Sequence, residues 1–224
     1  MSSNEGAAPT AAADRSPNLA NLAYRSVADM IRSRRLRGGD VIVEAKLAAT
    51  LGVSRTPMRE ALQRLEGEGL VHKGEGRNYV VRRVDLGEYL QSLRLRLLIE
   101  PEAAVLALDN IPRRTLLAVR LEILELLDAK TYHTDQHWFS DDHLHGMIID
   151  HCGNAVMARV LRDLRAATRL FEIDQLKERL IPDSSEHLQI IEAIQASDAE
   201  ATRESVAQHI RSLIGFAMTA FQLK

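Results

Sequence analysis

From Asp85 to Lys224 apolar residues recur at helical spacing, and no strand-like alternation interrupts them. That pattern predicts a helical array, and its punctuation divides it into six stretches: 86–108, 112–129, 134–152, 154–178, 183–197 and 199–222. Pro112 opens the second, and Gly153-Asn154 separates the third from the fourth. Pro182 precedes the fifth, which Asp183 or Ser184 is placed to cap, and Asp198 is placed to cap the sixth. Six amphipathic helices joined by short loops predict an antiparallel bundle. The aromatic content of 4% and the dominance of Leu, Ala, Arg and Glu agree with a mainly α fold.

The N-terminal third has a different rhythm. Residues 1–16 are rich in Ala, Ser and Pro without apolar periodicity and read as a disordered lead. A helix is expected after Pro17, carried by Leu19, Leu22, Ala23, Val27, Met30 and Ile31, and ending near Leu36 where Gly38-Gly39-Asp40 breaks the pattern. A short helix over 44–50 follows, stopped by Gly52 at a position suited to positive φ. Ser54 is placed to cap a third helix running to Glu68, with Pro57 in its first turn and Ala61, Leu62 and Leu65 as its buried stripe. After Gly69 the period becomes two: Leu70–Lys73 and Asn78–Val81 predict a hairpin around Gly74-Glu75-Gly76-Arg77. Helix, helix, helix, hairpin is the order of a winged helix-turn-helix, so the expected domains are 17–84 and 85–224.

Charge separates the same two regions. The net charge of −2 conceals +7 over residues 15–84, with 14 Lys and Arg against 7 Asp and Glu, and −7 over residues 85–224, with 15 against 22. A basic module on an acidic body suits a polyanion partner. The apolar runs are short and interrupted by charges, the start has no basic n-region with an apolar core, and the single Cys152 allows no internal disulfide. These features predict a cytoplasmic protein without a membrane span. Cys152, beside Gly153, reads as a buried small residue.

The predicted second and third helices supply a DNA-reading element. The third would present its N-terminus outward, where free amides and the helix dipole favour phosphate. Ser54, Arg55, Thr56 and Arg59 fall on its first turns, and Arg55 and Arg59 suit bidentate bonding to guanine. Lys46 on the preceding helix joins them, as do Lys73, Gly76 and Arg77 in the hairpin, suited to phosphate or the minor groove. The run from Leu51 to Leu62, followed by Leu65 and Glu68-Gly69-Leu70-Val71, resembles the signature of the GntR family of bacterial regulators over residues 20–83. The resemblance implies a winged helix-turn-helix that works as a homodimer on a short inverted repeat of double-stranded DNA. Two positions depart from the family pattern: Gly38-Gly39 replaces the usual Pro-Gly, and Ala45 stands where the family often carries a DNA-contacting arginine.

A second constellation lies in the helical region. Asp141 and His145 are one turn apart, a spacing that lets carboxylate and imidazole converge on one metal ion. His137, Asp142, His143 and His151 crowd the same segment, so the spacing alone does not select a pair. His187 and His209 each adjoin an apolar run and, taken alone, read equally as core histidines. Asp141-x-x-x-His145 before Gly153-Asn154, then Glu186-His187 with Ile190 to Ile194, then His209, resembles the FCD effector domain of the FadR-like branch of the same family over residues 86–218. Arg96-x-x-x-Glu100 matches its opening. The resemblance implies that Asp141, His145, His187 and His209 bind a divalent transition metal, zinc foremost with nickel or manganese as alternatives, together with a small carboxylic-acid effector. Arg96 is the first candidate for the effector's carboxylate; its other role is an ion pair with Glu100. Arg162, Arg165 and Arg169 form a stripe expected to face solvent or a second subunit, with the cavity as the alternative.

The combined expectation is a metabolite-responsive repressor, not an enzyme. A metal-dependent hydrolase or lyase is the competing expectation, and turnover by the bundle would favour it. A purely structural metal is the third, favoured if stripping the metal unfolds the bundle while no small molecule stabilises it.

Overall fold

The computed structural model describes residues 16–76, 78–128, 135–175 and 179–222. They form two compact units, one up to Arg82 and one from Arg83 onward.

The first unit runs α1 (Ser16–Arg32), β1 (Val41–Val43), α2 (Glu44–Leu51), α3 (Arg55–Gly67), β2 (Val71–Lys73) and β3 (Asn78–Val81). Helix α1 packs on α3, burying Ala23, Val27 and Ile31 against a core that holds Ala61, Leu62 and Leu65. The helical stripe of α1 is shorter than its sequence suggests, because Leu19 and Leu22 are 37% and 52% exposed. The helix also stops before Leu36: Arg34 adopts φ 58, and the Leu36 amide bonds the Met30 carbonyl at 2.9 Å. Strand β1 is an addition to the expected hairpin. It pairs antiparallel with β3 through Val41↔Val80, Ile42↔Tyr79 and Val43↔Asn78, giving a three-stranded sheet in the order β1-β3-β2. Its β-branched Val-Ile-Val run buries only Ile42, which suits a pleated edge strand with one face on the core. Gly52 ends α2 at φ 65 and re-aims the chain into α3.

The second unit runs α4 (Leu86–Ala107), α5 (Arg113–Leu127), α6 (Asp135–His151), α7 (Ala155–Gln175), α8 (Leu180–Gln195) and α9 (Ala199–Ala220). Helix α6 packs mainly against α4, α5, α7 and α8. Leu144 and Ile148 on α6, Leu93 on α4, Ile123 on α5, Leu161 on α7, Ile190 on α8 and Ile210 on α9 are all fully buried. Each such side chain contributes about 1.5–3 kcal/mol of burial, which is what holds the array together. Asp198 caps α9, its Oδ1 accepting the Glu200 and Ala201 amides at 3.1 and 3.0 Å. The start of α8 differs from expectation. The helix begins at Leu180, and Asp183 and Ser184 lie inside its first turns. Asp183 bonds Arg179 instead of capping, an ion pair that outweighs the local preference of Asp for an N-cap. No helix among the described residues is long and apolar enough to cross a membrane.

Candidate functional site

In the first unit, Ser54, Arg55 and Thr56 are exposed where α2 turns into α3. Ser54 occupies the N-cap position in extended conformation, yet its side chain makes no capping hydrogen bond, contrary to the cap expected of it. The first amides of α3 therefore have no side-chain acceptor from the cap and point where an anion is favoured. Arg59 lies one turn further on with its side chain 49% exposed, its guanidinium held by Glu44 of α2. That partner lifts the Arg59 pKa above its ordinary value. Lys46 is exposed, Lys73 lies 3.7 Å from Glu66, and Gly76 is exposed at φ 69 beyond β2. Gly74 has no room for a side chain, since a Cβ there would stand 2.9 Å from Val80 Cγ2. Arg77 lies outside the described residues.

In the second unit, Asp141 and His145 of α6, His187 of α8 and His209 of α9 meet in the interior, each at most 8% exposed. One ligand nitrogen from each of the three histidines falls within 4.8 Å of the others, and His187 Nε2 is 3.4 Å from His209 Nε2. Asp141 Oδ1 stands 3.6 Å from His145 Nε2 and 3.7 Å from His187 Nε2. Two nitrogens bound tetrahedrally to one zinc ion lie about 3.3 Å apart, so the spacing is close to that of a shared ion. His145 Nε2 is buried without a hydrogen-bond partner, an orphan that a cation would satisfy.

On two of the three rings the nitrogen facing away from this point is held by a carboxylate. Glu100 bonds His145 Nδ1, and Glu186 Oε2 is 2.8 Å from His209 Nδ1. Such partners fix ring orientation and tautomer, leaving Nε2 free for a ligand. Each carboxylate is itself braced by arginine. Arg96, completely buried on α4, donates to both oxygens of Glu100 at 2.7 and 3.3 Å and to Thr168 Oγ1 at 3.0 Å. Arg179 donates to Glu186 at 2.7 Å and to Asp183 at 2.6 Å, while Ser212 donates to Glu186 at 2.6 Å. Asp141 follows the same plan: Arg165 and Arg169 donate to its Oδ2 at 2.7 and 2.9 Å, leaving Oδ1 turned to the imidazoles. Arg165 and Arg169 also reach Asp142 at 3.2 and 2.8 Å, and Arg169 bonds the Trp138 carbonyl and lies over its ring.

This packing sets the protonation states. Burial, reinforced by Arg165, drives His145 down to about 4 despite the pull of Glu100. Burial, then His209, pushes His187 well below the usual histidine range. Neutral imidazoles are the ligand form. Burial works against the charge of Asp141, but Arg165 and Arg169 outweigh it and hold its carboxyl well below the usual range. Arg96 and His145 do the same for Glu100 against the same cost. Glu172 is the exception: burial, then the charge of Asp141, raises it, and Tyr89 donates to it at 3.2 Å.

The four residues singled out as ligands thus come together, while His143 and His151 do not join them. His143 pairs with Glu122 on the exposed side of α6, and His151 Nδ1 faces the Met147 carbonyl at 2.8 Å. The arginine stripe divides. Arg162 is exposed and pairs with Asp150, as a solvated stripe requires, whereas Arg165 and Arg169 are buried at Asp141. Cys152 is buried, its thiol directed at the Ile149 carbonyl. Sequence reasoning passed over Glu186 and Arg179 as members of the site. The only signal was the acidic residue directly before His187.

The chain matches the family model for bacterial regulatory proteins of the gntR family over residues 19–81 and that for the FCD domain over residues 91–212. It is 26% identical over 183 residues to the Nta operon transcriptional regulator of Aminobacter aminovorans, covering 81% of this chain and 86% of that protein. Among solved structures, E. coli McbR/YncC superposes with a TM-score of 0.72 at 20% identity, covering 91% of this chain and 98% of that one. The metal-free FCD domain of TM0439 superposes with a TM-score of 0.55 at 20% identity, covering 63% of this chain and 99% of that one. With both family models matched in this order on a winged helical head and a six-helix body, the chain belongs to the GntR family of transcriptional regulators that carry an FCD domain.

Proposed function

We propose that this regulator is a repressor whose grip on DNA is released by a small organic acid bound at a metal centre made by Asp141, His145, His187 and His209. The observation that carries the proposal is the convergence of three imidazoles and one carboxylate oxygen, with His145 Nε2 otherwise unpartnered. Three nitrogen donors and one oxygen donor suit zinc first, and nickel or manganese after it. A divalent ion held there supplies a concentrated positive charge with coordination positions open to a carboxylate. Glu100 and Glu186 hold two of the rings by their Nδ1 atoms, and Arg165 and Arg169 hold Asp141 by the oxygen turned away from the histidines. Arg165 and Arg169 also bring positive charge beside Asp141 for an anionic effector. The commitment of Arg96 to Glu100 and Thr168 supports its ion-pair role over direct contact with the effector.

On the DNA side, residues 17–84 form the reading head. Ser54, Arg55, Thr56, Arg59 and Lys46 approach the major groove, and Lys73, Gly76 and Arg77 follow the backbone as a wing. The head works as one half of a homodimer on a short inverted repeat. Effector binding acts by favouring an arrangement of the two heads that fits the repeat less well. Gel-shift titration on a duplex selected by the protein tests this reading. Zinc-loaded protein should release the duplex when a panel of small carboxylic acids is added, and the Asp141→Ala variant should not respond. A wild-type complex indifferent to every acid and to chelator contradicts it.

A further inference from the structure

Glu44, 7% exposed, stands at the first position of α2 and reaches Arg59 on α3. The amino end of a helix favours its charge. Its two oxygens grip one edge of Arg59: Oε2 accepts from Nε at 3.2 Å and Oε1 from Nη2 at 3.0 Å. A guanidinium has two usable forks, one made by Nε with a terminal nitrogen and one made by the two terminal nitrogens. Glu44 takes the first, so the end-on fork of Nη1 and Nη2 is left for another acceptor pair. The side chain remains 49% exposed with Glu44 bonded, so the pair does not bury Arg59. Guanine offers such a pair through O6 and N7.

We propose that Glu44 is a positioning residue that sets Arg59 for guanine recognition. An unsupported arginine loses rotamer entropy when it docks on a base, and it docks equally well on phosphates. Tethered by two hydrogen bonds across the α2–α3 turn, Arg59 has already lost most of that freedom. Its end-on fork is held in one plane, which favours a planar base edge over a phosphate. Glu44 also neutralises one charge of the head, so it adds nothing to sequence-independent attraction. The inference rests on α3 being the DNA-reading helix.

The test is selection from a pool of randomised duplexes by the full-length protein, followed by affinity measurements at several salt concentrations. Wild type should enrich a motif containing a guanine whose replacement weakens binding. Glu44→Gln should reduce discrimination at that base about tenfold and leave the slope of affinity against salt unchanged. Glu44→Asp keeps the charge but withdraws the carboxylate by one methylene, and it should also reduce discrimination. In an Arg59→Lys background, where no fork exists, Glu44→Gln should change discrimination no further. Full discrimination in both Glu44 variants overturns the inference. So does uniformly tighter binding to all sequences with discrimination intact, which would make Glu44 merely a charge that repels phosphate. If wild type enriches no motif, the DNA-reading assignment of α3 falls first and this inference with it.

Discussion

Replacing Arg96 by alanine distinguishes its two candidate roles. The guanidinium is completely buried and makes two hydrogen bonds to Glu100, itself completely buried, and one to Thr168. Removing it leaves the Glu100 carboxylate in the interior with His145 as its remaining close partner. Breaking a buried pair in this way costs about 3–5 kcal/mol. At about 3 °C per kcal/mol for a unit of this size, the melting temperature of the helical unit should fall by roughly 10 °C or more. Glu100 then orients His145 less firmly, and loss of such a support lowers metal affinity by about 10–100-fold. The assays are calorimetric unfolding and zinc titration against a chromophoric chelator. An Arg96→Ala variant that keeps its melting temperature and zinc affinity, but loses its response to carboxylic acids, would refute the positioning role and make Arg96 the effector's ligand.

Other outcomes follow from the same geometry. Stripping the metal should lower the melting temperature of the second unit, and zinc at a hundredfold excess over its Kd should restore about 2.7 kcal/mol; unchanged melting curves would rule out a bound ion. Gly52→Ala should destabilise the first unit by about 1 kcal/mol through its left-handed backbone alone, because a Cβ at Gly52 meets nothing within 4 Å. A stability gain would contradict the φ of 65 there. Asp198→Ala should cost about 1 kcal/mol through two uncapped amides of α9, read as a lower melting temperature with DNA binding intact.

The helices of the body were legible because their punctuation is local. Pro112, Gly153 and Asp198 act within a residue or two of where they stand, and the corresponding helix ends fall beside them. The start of α8 was not legible, because Asp183 is claimed by Arg179 and a preference for capping gives way to an ion pair. Strand β1 escaped for a similar reason. Three residues carry almost no periodicity, and Val41–Val43 is a strand only because Asn78–Val80 lies beside it. The meeting of Asp141, His145, His187 and His209 was available through resemblance, since residues on three helices reveal no distance in sequence. The carboxylates behind the rings depend still more on packing. In sequence Glu100 reads only as an ion-pair partner of Arg96 at i, i+4 spacing, and it is the packing of α4 against α6 that makes the pair a support for His145.

The proposed centre, one metal ion on Asp141, His145, His187 and His209, has a stoichiometry that can be measured. Calorimetric titration of zinc into chelator-stripped, full-length protein tests it most directly. Wild type should take up one ion per chain, and that uptake should be lost in His187→Ala and Asp141→Ala variants that still unfold cooperatively. No stoichiometric uptake by wild type, or equal uptake and affinity in both variants, would contradict it.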